Sequence, residues 1–228
     1  MEKVPRKIYS FWTGRNEMPP QRQECLNSMY MNIGVHIQML YWKDWYNMIL
    51  PDHPLHEGFR YLSCIHKADY LRCYFMHHFG GGYSDIKYYT SQNNWSLCFD
   101  IINKHPTIQC IGEPEVQNGS PISDYNEPDK IKLLLCNCYF ICRRYSDFTS
   151  AWYDKLLSKM DNFYMALRTN PAQDPFGRNK GYPIPWAALQ GEIFHETIIE
   201  FRNQNPDAIS SSLFSGRDKT HKWGGIFG

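Results

Sequence analysis

The chain has no long hydrophobic run, no excess of either charge and no phosphate loop, and each absence narrows what it can be. Its longest apolar stretch falls far short of the roughly 20 residues that a membrane-spanning helix needs, and the amino terminus shows neither a secretory core nor a cleavage pattern. A soluble, cytoplasmic protein with no membrane span is therefore expected. A formal net charge of +1 and a pI near 7.6 argue against nucleic acid or an anionic membrane as the main partner, so any phosphate site must be local. There is no GxxxxGK(S/T) segment, and the triplet Gly80-Gly81-Gly82 follows a helical pattern instead of preceding one. That order sets aside P-loop phosphoryl transfer and a Rossmann dehydrogenase. No internal repeat or low-complexity tract is present.

What remains is a chain of 228 residues, long enough for one α/β domain with a substantial core. Its eight cysteines would form disulfides only in an oxidising compartment, and nothing directs export, so reduced thiols are expected. The tightest group, Cys136, Cys138 and Cys142, falls at strand spacing with Phe140 and reads as small buried hydrophobes on one face of a central strand. A zinc set would need a fourth ligand and a turn between ligands. Seven Trp and sixteen Tyr suit sugar stacking and a packed core equally well.

Along the chain, strands alternate with helices. Lys7 to Trp12 is a β-rich run ending in Thr13-Gly14, and Pro19-Pro20 opens a helix that runs to about Ile33. Val35 to Trp42 alternates as a strand, Thr107 to Gly112 is another, and Leu133 to Cys142 is an apolar one. Ser146 caps a long amphipathic helix marked by Phe148, Trp152, Leu156, Met160 and Phe163. Glu113 to Asp129 and Ala166 to Pro185 read as loops facing a substrate, Trp186 to Glu200 is helical, and Ser210 to Gly228 is a Ser- and Gly-rich tail. The alternation argues a mostly parallel central sheet flanked by helices.

The densest stretch is Lys67 to Lys87, KADYLRCYFMHHFGGGYSDIK. Ile65, Ala68, Leu71, Phe75, Met76 and Phe79 recur at helical spacing, which leaves Asp69 and Arg72 as neighbours three apart on another face. Gly80 to Gly82 can take the positive φ that ends a helix and lets backbone approach a ligand. A strand then follows, with Asp85 and Lys87 on one side and Ser84 and Ile86 on the other. Charges placed where a strand leaves an open α/β sheet mark a ligand site. His77 and His78 follow the helix face away from Asp69 and read as structural or solvated.

This stretch resembles the signature of the DXD-type sugar transferases of GT-A fold, in particular the capsular-polysaccharide-synthesis and Och1-like mannosyltransferase group, in which a helix with SDxxR leads into GGxYxDxD. Ala68-Asp69 stands for Ser-Asp, Arg72 for the arginine, Gly81-Gly82-Tyr83 for the glycines and aromatic, and Asp85 for the first aspartate. Lys87 replaces the second aspartate. Val4 to Gly14, VPRKIYSFWTG, is similar to the IPKIIHxxWxG opening of the group, and Thr220-His221-Lys222-Trp223 resembles its closing His and Trp, so the matches bracket nearly the whole chain.

The resemblance implies one GT-A (Rossmann-like) domain over residues 1–228, with the tail from Ser210 folding over the donor. It implies a glycosyltransferase that moves a sugar from a UDP- or GDP-linked donor to a glycan or glycoprotein acceptor, as in capsular or virion polysaccharide synthesis. Golgi members carry an anchor and stem, so a bacterial-type or virus-type member, or a domain of a larger protein, is expected. Asp69 and Arg72 would contact ribose, sugar or phosphate, and Asp85 the ribose and donor sugar. Phe11, Trp12 and Thr13 would border the base, Gly82 and Tyr83 would floor the donor, and Lys222 and Trp223 would reach the diphosphate. Mn²⁺ or Mg²⁺ would be held by Asp85 and His221. Lys87 stays open: its ammonium replaces part of the metal's charge, or Asp85 binds metal with other ligands, or the site has become a non-catalytic nucleotide- or glycan-binding module. For inversion at the anomeric carbon a carboxylate base is required, and Glu192 is the candidate, with Asn137 and Asp174 as further acceptor-side residues.

Overall fold

Alternate residues of the first strand, β1 (Lys7–Trp12), enter opposite layers: Ile8 and Trp12 join one apolar cluster, and Tyr9 and Phe11 the other. The structure, a computed structural model, describes residues 2–115 and 128–212. After β1 come α1 (Pro20–Asn32), β2 (His36–Tyr41), α2 (Trp42–Asn47), α3 (Cys64–His78), β3 (Gly81–Ser84), α4 (Trp95–Lys104) and β4 (Cys110–Pro114). Then follow α5 (Pro128–Ile131), β5 (Leu135–Cys142), α6 (Asp147–Thr169), α7 (Ile193–Gln204) and β6 (Ile209–Ser211). The sheet has six strands in the order β2-β1-β3-β5-β4-β6. β1 runs parallel to β2 and β3, β4 parallel to β6, and β5 antiparallel to both β3 and β4. The sheet is therefore mixed but mostly parallel, with β5 alone reversed.

Helices cover both faces, which makes the α/β sandwich expected from the alternation. One layer packs α1 and α4 on the sheet through Cys25, Leu26, Met29, Trp95, Phe99 and Ile102. The other packs α3, α6 and α7 through Leu71, Phe75, Trp152, Leu156, Phe194 and Ile198. Local sequence sets the element ends. Pro20 opens α1, and Ser146 caps α6 by accepting from the Thr149 amide at 3.3 Å while Thr149 Oγ1 accepts from the Ser146 amide at 3.1 Å. Between α3 and β3 the chain reverses through Gly80 and Gly81, at φ of +64° and +103°. There a Cβ would lie 2.9 Å from the Arg144 nitrogen and 2.9 Å from the Lys7 carbonyl oxygen, respectively.

Four expectations need correction. The strand after the glycines ends at Ser84, so Asp85, Ile86 and Lys87 lie in the turn beyond it and all face one cavity instead of alternating. Cys136 and Cys138 do not share a face with Phe140 and Cys142. The β4–β5 ladder jumps from Gly112 opposite Phe140 to Pro114 opposite Leu135, and this bulge puts Cys136 in the α1/α4 layer and Cys142 in the other. α6 continues to Thr169, so the loop after it starts later than Ala166. Ser210 and Ser211 belong to β6, so the tail does not begin at Ser210. All eight cysteines are free thiols.

Candidate active site

A cavity of about 540 Å³ opens at the carboxyl ends of β1 and β3, the edge at which open α/β sheets take ligands. Its walls come from Phe11 to Gly14 at the end of β1, one stripe of α3 including Ala68, Asp69 and Arg72, and Tyr83 to Lys87 at the exit of β3. Asn137 and Cys138 near the start of β5 and the segment Trp186 to Gly191 complete it. Asp69 and Arg72 are there because they lie one turn apart on a helix whose other faces are buried.

Arg72 is the hub. Its Nη2 lies 2.9 Å from Asp69 Oδ1 and 3.5 Å from Asp85 Oδ1, and its Nη1 donates to the Asn137 carbonyl at 2.7 Å. The β4–β5 bulge leaves that carbonyl to α3 instead of to a neighbouring strand. The Tyr83 hydroxyl donates to Asp85 Oδ1 at 2.7 Å, and the Asp85 amide donates to the Cys138 carbonyl at 2.8 Å. Burial pushes the Asp69 carboxyl above its ordinary range, against the opposing charge of Arg72. Burial works against the Arg72 charge too, but Tyr83, Asp69 and Asp85 outweigh it and hold the guanidinium above its usual value. Burial raises the Tyr83 phenol well above 10, so it stays a donor.

Phe11 packs edge-on to Phe75 at 4.9 Å and parallel to Tyr83 at 6.0 Å, Trp12 Nε1 donates to the Asn16 carbonyl at 2.9 Å, and Thr13 Oγ1 donates to the Cys64 carbonyl at 2.6 Å. All three line the cavity, as do Tyr83, Asp85 and Lys87. Gly82 does not. A Cβ there would lie 2.9 Å from the Trp95 ring and 3.0 Å from Ile8, so its bareness serves packing against α4. Glu192 also lies off the cavity wall, where its carboxylate bonds Lys159 of α6 at 3.0 Å. Asp174 closes its own turn by accepting from the amides of Phe176 and Arg178, each at 2.8 Å. His78 is buried and His77 half-buried beside Tyr153, which fits a structural role. His221, Lys222 and Trp223, and most of the loop from Glu113 to Asp129, lie outside the described residues.

Three residues of the cavity carry no strong local signal. Arg22, in the first turn of α1, lines it and donates from Nη1 to the Ile86 carbonyl at 2.8 Å. Gln190 is buried with its Oε1 unpartnered among the described residues, while its Nε2 reaches the Asn137 carbonyl at 3.4 Å. Trp186 lines the mouth and is 62 % exposed. The lip that carries it is tied down by Tyr182, whose hydroxyl lies 2.8 Å from His66 Nδ1 and accepts from the Ser63 amide at 3.2 Å.

A divalent cation such as Mn²⁺ needs an array of oxygen ligands. Among the described residues, no group of three or more His, Cys, Asp or Glu side chains is gathered to hold one. Asp85 Oδ1 already takes the Tyr83 hydroxyl, Asp69 is committed to Arg72, and Lys87 stands on the same wall. Without His221, which lies outside the described residues, these side chains do not by themselves fit a divalent cation.

No protein-family model and no curated protein matches the chain. Among solved structures, it is similar to the PaToxG glycosyltransferase, with 10 % identity over 90 % of this chain and 71 % of that one, at a TM-score of 0.48. So distant a likeness leaves the assignment to the site itself.

Proposed function

We propose that the chain is a glycosyltransferase that moves a sugar from a UDP- or GDP-linked donor to a glycan or glycoprotein acceptor, as polysaccharide synthesis requires. The observation that carries this reading is the meeting of Asp69, Arg72, Tyr83 and Asp85 in one cavity at the carboxyl ends of parallel strands. Sugar transfer must orient the donor and stabilise charge as the diphosphate leaves an oxocarbenium-like centre. A fixed carboxylate at Asp85 accepts from donor hydroxyls and faces the positive centre, and Arg72 locks that carboxylate in place. Phe11 and Trp12 border the base, and Gln190 offers a buried acceptor for a sugar hydroxyl. A base at Glu192 has no part in this arrangement.

The second reading, a nucleotide- or glycan-binding module without catalysis, is favoured by one observation, the lysine at position 87 where the resembling group has aspartate. Incubation with a panel of UDP- and GDP-sugars, with release of nucleoside diphosphate and labelling of glycan acceptors as readouts, separates the two. Transfer that falls about a hundredfold or more in Asp85→Asn is expected, as for loss of an electrostatic contact made in the transition state. Undiminished transfer by that variant overturns the assignment of Asp85. Donor binding with no turnover by the wild type establishes the module instead.

A further inference from the structure

The cavity wall where the chain leaves β3 carries more positive than negative charge. Arg22, Arg72 and Lys87 face Asp69 and Asp85, and Arg72 is already shared between the two carboxylates. The other two cations of that wall are Arg22 and Lys87. Arg22 is buried, and its guanidinium is pinned to the Ile86 carbonyl, the backbone group immediately before Lys87. Lys87 is half-buried, and among the described residues its ammonium makes no hydrogen bond or ion pair. Both charges act on the same neighbour: they draw down the Cys25 thiol, which burial nonetheless raises to about 11. Two cations from α1 and from the β3 exit thus stand together beside a site whose carboxylates do not by themselves fit a divalent ion. A cationic wall of this kind has a natural ligand in an oligophosphate, since charge-assisted bonds from Arg and Lys are the protein alternative to a metal clamp.

Resting on the donor site proposed above, we infer that Arg22 and Lys87 hold the donor's diphosphate in the place a divalent cation would take. In the reaction, the bond between the anomeric carbon and the β-phosphate oxygen breaks and its electron pair leaves on that oxygen. The acceptor hydroxyl oxygen forms the new bond to the anomeric carbon, and its proton is taken up by the released diphosphate. The added negative charge on the leaving group develops against Lys87 and Arg22. Lys87 therefore acts on the β-phosphate, and a nucleoside monophosphate gains less from it than a nucleoside diphosphate.

The test is calorimetric titration of the full chain with UDP, GDP, UMP and GMP, each in EDTA and in Mn²⁺, for the wild type and for Lys87→Gln, Lys87→Arg and Lys87→Asp. Expected are diphosphate affinities that agree in EDTA and Mn²⁺, and a loss of about tenfold in Lys87→Gln for the diphosphate with little change for the monophosphate. Lys87→Arg retains binding, and Lys87→Asp binds in EDTA more weakly still but recovers with Mn²⁺, because it supplies the missing carboxylate. Wild-type binding that requires Mn²⁺, or Lys87→Gln binding like the wild type, overturns this inference and leaves the proposed function standing. No binding of any nucleotide in either condition overturns both.

Discussion

The guanidinium carbon of Arg72 lies 4.5 Å from the centre of the Tyr83 ring, so one planar cation is stacked on an aromatic face while its edges serve Asp69, Asp85 and Asn137. Only a flat, forked donor can do this: an ammonium has three donors of its own but no planar face to stack on Tyr83 and no rigid fork to span these partners. The stack also fixes Tyr83, whose hydroxyl in turn holds Asp85. A disturbance at Arg72 therefore reaches the carboxylate that faces the donor.

Replacement of Arg72 by Met should leave Asp69 buried without its partner and cost about 3–5 kcal/mol of stability. Arg72→Lys should be milder in a denaturant titration yet still lose donor binding, because the stack and the second partner are gone. A lysine variant that binds nucleoside diphosphate like the wild type would show that the hub is not needed.

Gly81→Ala places a Cβ at 2.9 Å from a backbone oxygen in a residue at φ +103°, and about 1–3 kcal/mol of destabilisation is expected from the backbone strain alone. Gly81 does not line the cavity, so nucleotide affinity measured well below the melting transition should stay as it was. Gly82→Ala strains instead against Trp95, and its effect should show as a loosened α4 in hydrogen exchange.

Glu192→Gln should leave sugar transfer unchanged and alter stability by no more than about 1 kcal/mol, since a part-exposed pair with Lys159 is all that it loses. Gln190→Leu, two residues earlier, should raise the donor or acceptor KM, because it removes a buried acceptor from the cavity wall. A collapse of kcat in the Glu192 variant with Gln190→Leu silent would reverse these assignments.

His195 is fully buried, and burial pushes its imidazole down to about 4 although Nε2 contacts the Leu135 carbonyl at 3.0 Å. In the unfolded chain it takes its proton near 6.5 and in the fold only near 4, so the unfolded state binds more protons between those values. Stability should therefore be full above pH 6.5 and fall as the solution is acidified toward pH 4. The loss attributable to His195 is about 3 kcal/mol. Urea midpoints across this window should flatten in His195→Gln; an unchanged slope would assign the acid sensitivity to other groups.

Much of the scaffold could be read directly. β1 came from its composition and the Thr-Gly that ends it, α6 from the Ser146 cap, and the Asp69/Arg72 pair from helical spacing. What escaped did so for geometric reasons. Glu192 was singled out for its carboxylate alone, and only the path of the π-helical turn at Ala188–Glu192 puts Gln190 on the cavity wall and turns Glu192 to Lys159. The β4–β5 bulge flips the faces of Cys136 and Cys138, and no alternation within β5 alone reveals an offset that depends on Pro114 across the ladder. Arg22 is a lone arginine in a helix start, and only the route of α1 past the β3 exit makes it part of a site. β6 is three residues long and owes its existence to pairing with β4. α4 was not anticipated, although Trp95, Cys98, Phe99 and Ile102 recur at helical spacing.

The single reversed strand divides the labour of the sheet between its two ends. Because β5 runs against its neighbours, it begins beside the exits of β3 and β4, and β6 ends there too, at Ser211, with the next amide, that of Ser212, donating to the Gly112 carbonyl. The opposite end is where Gly80 and Gly81 turn and where Arg143 ties the carbonyls of Glu2, Ile102 and Ile108. Changes at Thr13 and Gly14 beyond β1, or at Lys87 beyond β3, would thus alter what the cavity selects while sparing the core. Changes near Arg143 would cost the fold itself, so diversification of substrate has one end of this molecule open to it and the other closed.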